Sequence, residues 1–294
     1  MRVLVTGGAG FIGSHIVEML LAQGHDAVVF DNFSRDALRH ARLERQPEVV
    51  KGDVLDTAAL KAAAKGCDAV VHLAAVAGVS AVVSAPVRVL QVNYGGTANA
   101  LAAAVEANVA RCVNFSTSEV YGQYAEGVSE QSPTVQGFLG EPRWSYAVSK
   151  LAAEHLCQAY HSQHGLPTVT LRPFNIYGER QVGEGGVSKM ALAALQGSDV
   201  VVNGDGTQVR AWCHVSDLVQ GVSLCLGKQA AVGKVFNIGN PGAAVTVLEL
   251  AKRIIATAQS ESKIVFKPLG YGEVFKRWPN VELAKRELGF EPKV

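Results

Sequence analysis

No two cysteines stand in a C-x-x-C pair, and the five present (Cys67, Cys112, Cys157, Cys213 and Cys225) are scattered and odd in number. That pattern argues against a disulfide framework and against a cysteine-ligated zinc site. Other metal-ligand spacing is just as scarce. His161 and His164 in HSQH have no acidic or cysteine partner in register and read as a solvated helix end before Gly165, so no metal is expected. One-signed charge is missing too. Lys and Arg total 27 against 26 Asp and Glu, a net charge of +1 with no basic stripe. Neither nucleic acid nor an acidic membrane surface is then expected as a partner. No run approaches the roughly 18 apolar residues of a membrane span, and the apolar stretch in MRVLVTGG is too short for a secretory leader. A soluble, cytoplasmic protein is expected. There is no internal repeat and no low-complexity linker.

What is present is apolar. Hydrophobic residues make up 48% of the 294-residue chain and charged residues 18%, enough for one large α/β domain or a domain with a smaller lobe. The first half alternates. Short apolar runs at 2–6, 27–30, 48–50, 68–73 and 111–116 are separated by helical patterns over 11–23, 57–66 and 87–108. Strands alternating with helices predict βαβ units and a parallel sheet buried on both faces, with ligands beyond the strands' carboxyl ends. The second half is less regular. It predicts helices over 144–164, 188–195, 218–225, 246–258 and 281–288, strands at 168–173, 199–202 and 235–239, and a turn at NGDG, 203–206.

Two places carry chemistry. The stretch TGGAGFIG (6–13) follows the first strand and opens the first helix, with Gly7, Gly10 and Gly13 spaced G-x-x-G-x-x-G. Such glycines allow a tight turn and close backbone approach to a pyrophosphate at a helix N-terminus. Asp31 ends the second strand 18 residues past Gly13, near the spacing at which a carboxylate takes the adenine ribose hydroxyls. It favours NAD over NADP, with Arg35 as a nearby opposing charge. Asp53, after the third strand, should lie near the adenine. Small residues in HLAA (72–75) let backbone lie against a cofactor or simply pack helix on sheet.

The second place joins two motifs. SYAVSK (145–150) puts Tyr146 and Lys150 four apart, on one helix face. An ammonium near a phenol favours the phenolate, lowering its pKa from about 10 toward neutrality, and a phenolate can take a proton from an alcohol. FSTSEVYG (115–122) begins as a buried strand and ends in a row of polar groups, Thr117, Ser118 and Glu119.

On these residues the chain resembles the extended short-chain dehydrogenase/reductase family, in particular its NAD-dependent nucleotide-sugar epimerases, dehydratases and decarboxylases. The resemblance runs from Met1 almost to Val294. It rests on TGGAGFIG, DNFS, HLAA, VNYGGT, STSEVYG, YAVSK, RPFNIYG, NGDGTQVRAWCHVSD, FNIGN and RELGFEP. It implies a Rossmann-type doubly wound parallel sheet with a smaller C-terminal α/β substrate lobe. The NAD-binding domain would span 1–173, with later segments returning to it, and the nucleotide-sugar lobe mainly 174–294. It implies a Thr117–Tyr146–Lys150 triad, with Thr117 and Tyr146 on the sugar's 4-oxygen and Lys150 on the nicotinamide ribose. It also implies cofactor contacts from Gly7, Gly10, Phe11, Ile12, Gly13, Asp31, Asn32, Ser34, Asp53, Val54, Leu73, Ala74, Ala75, Asn93 and Pro173. Asn175 would bind the diphosphate or neighbouring sugar, and Arg210 and Arg277 would clamp the diphosphate. The substrate would be a UDP-sugar, and a homodimer would form through the helices near 87–108 and 144–164.

Family members oxidise the sugar at C4 and differ afterwards. A 4-epimerase needs the triad and room for a transient 4-keto sugar to turn. A 4,6-dehydratase resembles Thr-Asp-Glu at the strand end, whereas this chain has Ser118 in the middle. A UDP-glucuronate decarboxylase resembles Thr-Ser-Glu, which this chain has. SYAVSK and RPFNIYGERQVGEGG look more like epimerase sequence. The leading expectation is a 4-epimerase for a UDP-hexose or UDP-hexuronate, with the decarboxylase as rival and the dehydratase behind it. Ser118 and Glu119 would face C5 and C6. A non-catalytic NAD-binding protein is the remaining alternative. Two departures stand out: Asn280 where relatives often carry Asp, and RAWCHV where many have Arg-Asp and an aromatic, which bears on Arg210.

Overall fold

The computed structural model describes residues 1–183, 185–268 and 274–294. Within them the chain runs β1 (Arg2–Thr6), α1 (Phe11–Ala22), β2 (Asp26–Asp31), β3 (Glu48–Lys51), α2 (Thr57–Ala64) and β4 (Ala69–His72). Next come α3 (Val79–Ser84), α4 (Pro86–Leu90), α5 (Gly96–Glu106), β5 (Arg111–Phe115), β6 (Tyr124–Val128), α6 (Trp144–His164) and β7 (Thr168–Pro173). After these stand β8 (Ile176–Tyr177), α7 (Gly186–Leu195), β9 (Val200–Asn203), β10 (Val209–Ala211), β11 (Cys213–His214), α8 (Val215–Gly227) and β12 (Val235–Ile238). The chain ends with β13 (Ala244–Thr246), α9 (Val247–Thr257), β14 (Ile264–Lys267), β15 (Lys276–Pro279) and α10 (Glu282–Leu288).

Runs of Val, Leu and Phe with few polar interruptions form strands that can be buried on both faces. Seven of them make one sheet in the order β3-β2-β1-β4-β5-β7-β12, every pair parallel. One face packs Val3, Val5, Val113 and Phe236 with Ile16 of α1 and Leu218 of α8. The other packs Leu4, Val28, Val70 and Cys112 with Leu60 of α2, Leu101 of α5 and Cys157 of α6. The order reverses between β1 and β4, and in such a sheet the binding crevice opens at that reversal. The fold is therefore α/β and doubly wound.

The helix expected over 87–108 is interrupted. Pro86 opens α4, a π-helical turn occupies Gln91–Gly95, and α5 resumes at Gly96. The extra residue of a π turn rotates the facing of α5 relative to α4. A four-stranded sheet, β13-β10-β15-β6, and two two-stranded sheets, β8–β11 and β9–β14, form the smaller part among the described residues. Helix α9 starts on a threonine cap, with Glu249 N donating to Thr246 Oγ1 at 3.0 Å. All five cysteines are buried thiols. Among the described residues no helix is long and apolar enough to cross a membrane, and no group of three or more His, Cys, Asp or Glu could hold a metal ion.

One buried polar network ties the halves together. Arg172 of β7 donates Nε to Glu154 Oε1 at 2.8 Å and Nη2 to Oε2 at 2.6 Å. Its Nη1 donates to Tyr121 Oη at 2.7 Å, and Tyr121 in turn donates to Asn237 Oδ1 at 2.7 Å. Tyr121 ends the 3₁₀ turn Ser118–Tyr121, so the network fixes the turn that carries Ser118 and Glu119. Removing one partner of a buried ion pair strands the other charge. Glu154→Leu is expected to cost about 3–5 kcal/mol in urea unfolding, and Glu154→Leu with Arg172→Met to recover most of it.

Candidate active site

Six parallel strand ends, those of β1, β2, β3, β4, β5 and β7, border one crevice. After β1, Gly7 adopts φ +73°, and a Cβ there would lie 2.8 Å from Ala74 N; one at Gly13 would lie 2.1 Å from Gly7 O. The turn and α1 thus pack backbone against backbone, as close phosphate approach demands. Helix α1 starts at Gly10 without a side-chain cap, leaving its first amides to face the crevice. Beside it opens a cavity of about 550 Å³. Gly7, Gly10, Phe11, Ile12 and Gly13 line its floor, Asp31, Asn32 and Ser34 the end of β2, and Asp53 and Val54 the end of β3. Leu73, Ala74, Ala75 and Pro173 line the opposite side, together with Tyr146 and Lys150. Asp31 Oδ2 accepts from Ala9 N at 3.0 Å and Oδ1 from Phe33 N at 2.8 Å, while burial raises its pKa.

Tyr146 lies at the junction with a second compartment of about 290 Å³, lined also by Thr117, Ser118, Glu119, Asn175 and Arg277. Thr117 caps the turn after β5, accepting from Glu119 N at 3.2 Å. Glu119 Oε1 faces Arg277 Nη1 at 3.4 Å and Arg143 Nη2 at 3.8 Å. Asn175 Nδ2 donates to Ala211 O at 3.0 Å.

The sequence profile of the NAD dependent epimerase/dehydratase family matches residues 3–239. The chain belongs to that family. Over its whole length it is 36% identical to a UDP-N-acetyl-alpha-D-glucosaminuronate decarboxylase of Bacillus cytotoxicus, covering 93% of that enzyme. It is 37% identical to UDP-glucuronic acid decarboxylase 4 of Arabidopsis thaliana, again over the whole chain and over 66% of the plant enzyme. Among solved structures it resembles UDP-glucose 4-epimerase of Thermotoga maritima with UDP-glucose, at a TM-score of 0.92 and 31% identity, covering 100% and 94% of the two chains.

As in its family, the cofactor is NAD, and the residues present fit it. The glycine cradle and uncapped helix suit the pyrophosphate, and Asp31 at the tip of β2 suits the adenine ribose. Arg35 Nη2 donates across the cleft to Ala77 O at 3.2 Å.

Four residues named from sequence stand in surroundings that sequence did not specify. Asn93 does not line the crevice. It is fully buried, with Oδ1 accepting from Val76 N at 2.7 Å and Nδ2 donating to Val76 O and Ser149 Oγ at 3.1 Å, so it braces the wall from behind. Arg210 lines neither compartment; its Nη1 donates to Val209 O at 3.0 Å. Arg277 stands against Glu119 at the sugar end. Lastly, the Tyr146 phenol is not lowered toward neutrality. Burial pushes its pKa up, Glu119 adds to that, and the Thr117 hydrogen bond and Arg277 pull the other way. Lys150 turns its Nζ to Phe115 O at 2.7 Å, and burial pushes it down to about 8.

Sequence reasoning missed Arg143 and Gln181. Gln181 lines both compartments from the segment after Gly178. For Arg143 a signal existed: it precedes Tyr146 by three residues, one helical turn.

Proposed function

We propose that the chain decarboxylates a nucleotide-linked hexuronate: it oxidises the sugar at C4, loses the C6 carboxyl as CO₂ and re-reduces C4. The observation that carries this reading is the sugar compartment, where the Glu119 carboxylate meets Arg277 and Arg143 beside Ser118 and Tyr146. Cations there suit a substrate carboxylate.

Bound NAD supplies the hydride acceptor for C4 and later the donor. Tyr146 takes the proton of the C4 hydroxyl, and Thr117 hydrogen-bonds the same oxygen. With C4 a ketone, the C6 carboxylate is β to a carbonyl. The C5–C6 bond breaks, its electron pair becomes the enolate, and Thr117 and Tyr146 hold the enolate oxygen. A proton returns to C5 and another to the C4 oxygen. The cycle is redox-neutral and consumes one proton. Lys150 is placed to hold the nicotinamide ribose.

This reading ranks decarboxylation ahead of the epimerisation that sequence alone puts first. Two considerations support the change: the two relatives at 36% and 37% identity over the whole chain are decarboxylases of UDP-linked uronates, and a 4-keto uronate loses CO₂ unless restrained. Epimerisation is the second reading, favoured by the likeness to a UDP-glucose 4-epimerase. Dehydration fits less well, because Ser118 stands where an acid would be needed. The nucleotide is read as UDP. A homodimer would bury Val87, Leu90, Tyr94 and Val148, apolar side chains exposed on α4, the π turn and α6.

Incubation with a panel of UDP-sugars without added NADH, followed by mass spectrometry, tests the reading. UDP-glucuronate or its 2-acetamido counterpart is expected to lose the mass of one CO₂. A new stereoisomer of unchanged mass would replace decarboxylation with epimerisation. Bound NAD with no turnover of any sugar would make the chain a binding protein.

A further inference from the structure

Arg143 immediately precedes α6 and continues the stripe of that helix that carries Tyr146 and Lys150. It already has helical backbone angles, φ −50° and ψ −40°. Arg143, Tyr146 and Lys150 therefore succeed one another at i, i+3 and i+7 on a single face. They also track the cleft: Lys150 lines the dinucleotide cavity, Tyr146 both compartments, and Arg143 the sugar compartment.

The segment that presents Arg143 is held by construction. Trp144 is buried and its Nε1 donates to Glu141 Oε2 at 2.6 Å. A Cβ on Gly137 would fall 1.9 Å from that same nitrogen, so the loop closes on the indole. Upstream, Val135 N and Gln136 Nε2 both donate to Val120 O, at 3.1 and 3.0 Å. The segment leading to Arg143 is thus tied to the turn that presents Ser118 and Glu119. Arg143 Nη2 also approaches Glu119 Oε1 at 3.8 Å, so the guanidinium and that carboxylate share the sugar compartment.

We infer that Arg143 is the specificity-determining residue that recognises the sugar's C6 carboxylate and aligns it beside the oxidised C4. The inference rests on the hexuronate reading above and names the residue that selects it. Arg277, deeper and only 3% exposed, remains the partner of Glu119.

The test uses NAD-loaded Tyr146→Phe protein, which binds without turning over, titrated by calorimetry with UDP-glucuronate and with neutral UDP-glucose. Adding Arg143→Gln is expected to weaken UDP-glucuronate about 10- to 100-fold, the loss of a charge-assisted pair, and UDP-glucose by no more than about twofold. Arg143→Lys should restore part of the preference, since it keeps the charge without the fork. A preference for UDP-glucuronate that survives Arg143→Gln would overturn the inference and leave the hexuronate reading standing. Equal weakening of both ligands would overturn it as well, reducing Arg143 to a structural role. Absence of any preference before Arg143 is changed would sink the hexuronate reading itself.

Discussion

Tyr146→Phe is expected to lower turnover of the preferred UDP-sugar about 10²- to 10⁴-fold, the range for losing a positioned acid–base group. NAD and UDP-sugar binding should stay near normal. The ring keeps its volume, so the packing of α6 is unchanged and the loss falls on the hydroxyl alone. The sign of the pH dependence comes from its surroundings. Burial and the Glu119 carboxylate hold the phenol protonated, whereas the Thr117 hydrogen bond and the Arg277 charge favour the phenolate. The rate should therefore rise with pH on the acid limb. Arg277→Met should push that limb to higher pH, because it removes a charge that stabilises the anion. Steady-state rates from pH 6 to 9 for the parent, Tyr146→Phe and Arg277→Met measure both effects. Undiminished turnover in Tyr146→Phe would remove the phenol from the mechanism.

Much of the crevice could be read from sequence because its parts are local. Gly7 to Gly13, the strand ending at Asp31 and the face shared by Tyr146 and Lys150 are each written within a few residues. The runs at 2–6 and 168–173 match the observed strands residue for residue, since short β-branched stretches between breakers leave little choice. The seventh strand was legible as a segment, but its place beside β7 is set by tertiary packing. What stayed hidden depends on distant partners. Strands β6, β10, β13 and β15 span three to five residues each, too few to show a period, and pair across large separations. The interruption at Gln91–Gly95 leaves no signal in an alanine-rich helix. The burial of Asn93 behind the cleft wall was not legible either, because whether a polar side chain faces a cleft or braces its wall depends on one rotation of its helix. The phenol failed in sign because Tyr-x-x-x-Lys spacing says nothing about burial, which here outweighs the neighbouring charges.

Lys150→Met should abolish efficient turnover and at the same time stabilise the protein. The ammonium is 1% exposed, and burial lowers its pKa from 10.5 to about 8, despite the favourable field of Glu154 one turn on. That shift corresponds to about 3 kcal/mol of strain on the charged form near neutral pH. The linkage runs in one direction. Between about pH 8 and 10.5 the unfolded chain holds a proton that the folded chain has shed, so stability climbs with pH across that window and is flat below it. Methionine removes the penalty and fills a similar volume, but leaves Phe115 O without the donor it has at 2.7 Å, a loss of about 1–3 kcal/mol. The net gain is then about 0–2 kcal/mol, or up to about 3 °C in Tm for a chain of this length. The sharper readout is the slope: the parent's urea stability should rise from pH 8 to 10 by more than the variant's. NAD affinity should behave in the opposite sense. In the parent it weakens as pH climbs past about 8 and the ammonium is lost, whereas in Lys150→Met it is already weak and insensitive to that proton. A variant that keeps both slopes would show that the buried lysine carries neither the strain nor the ribose contact assigned to it.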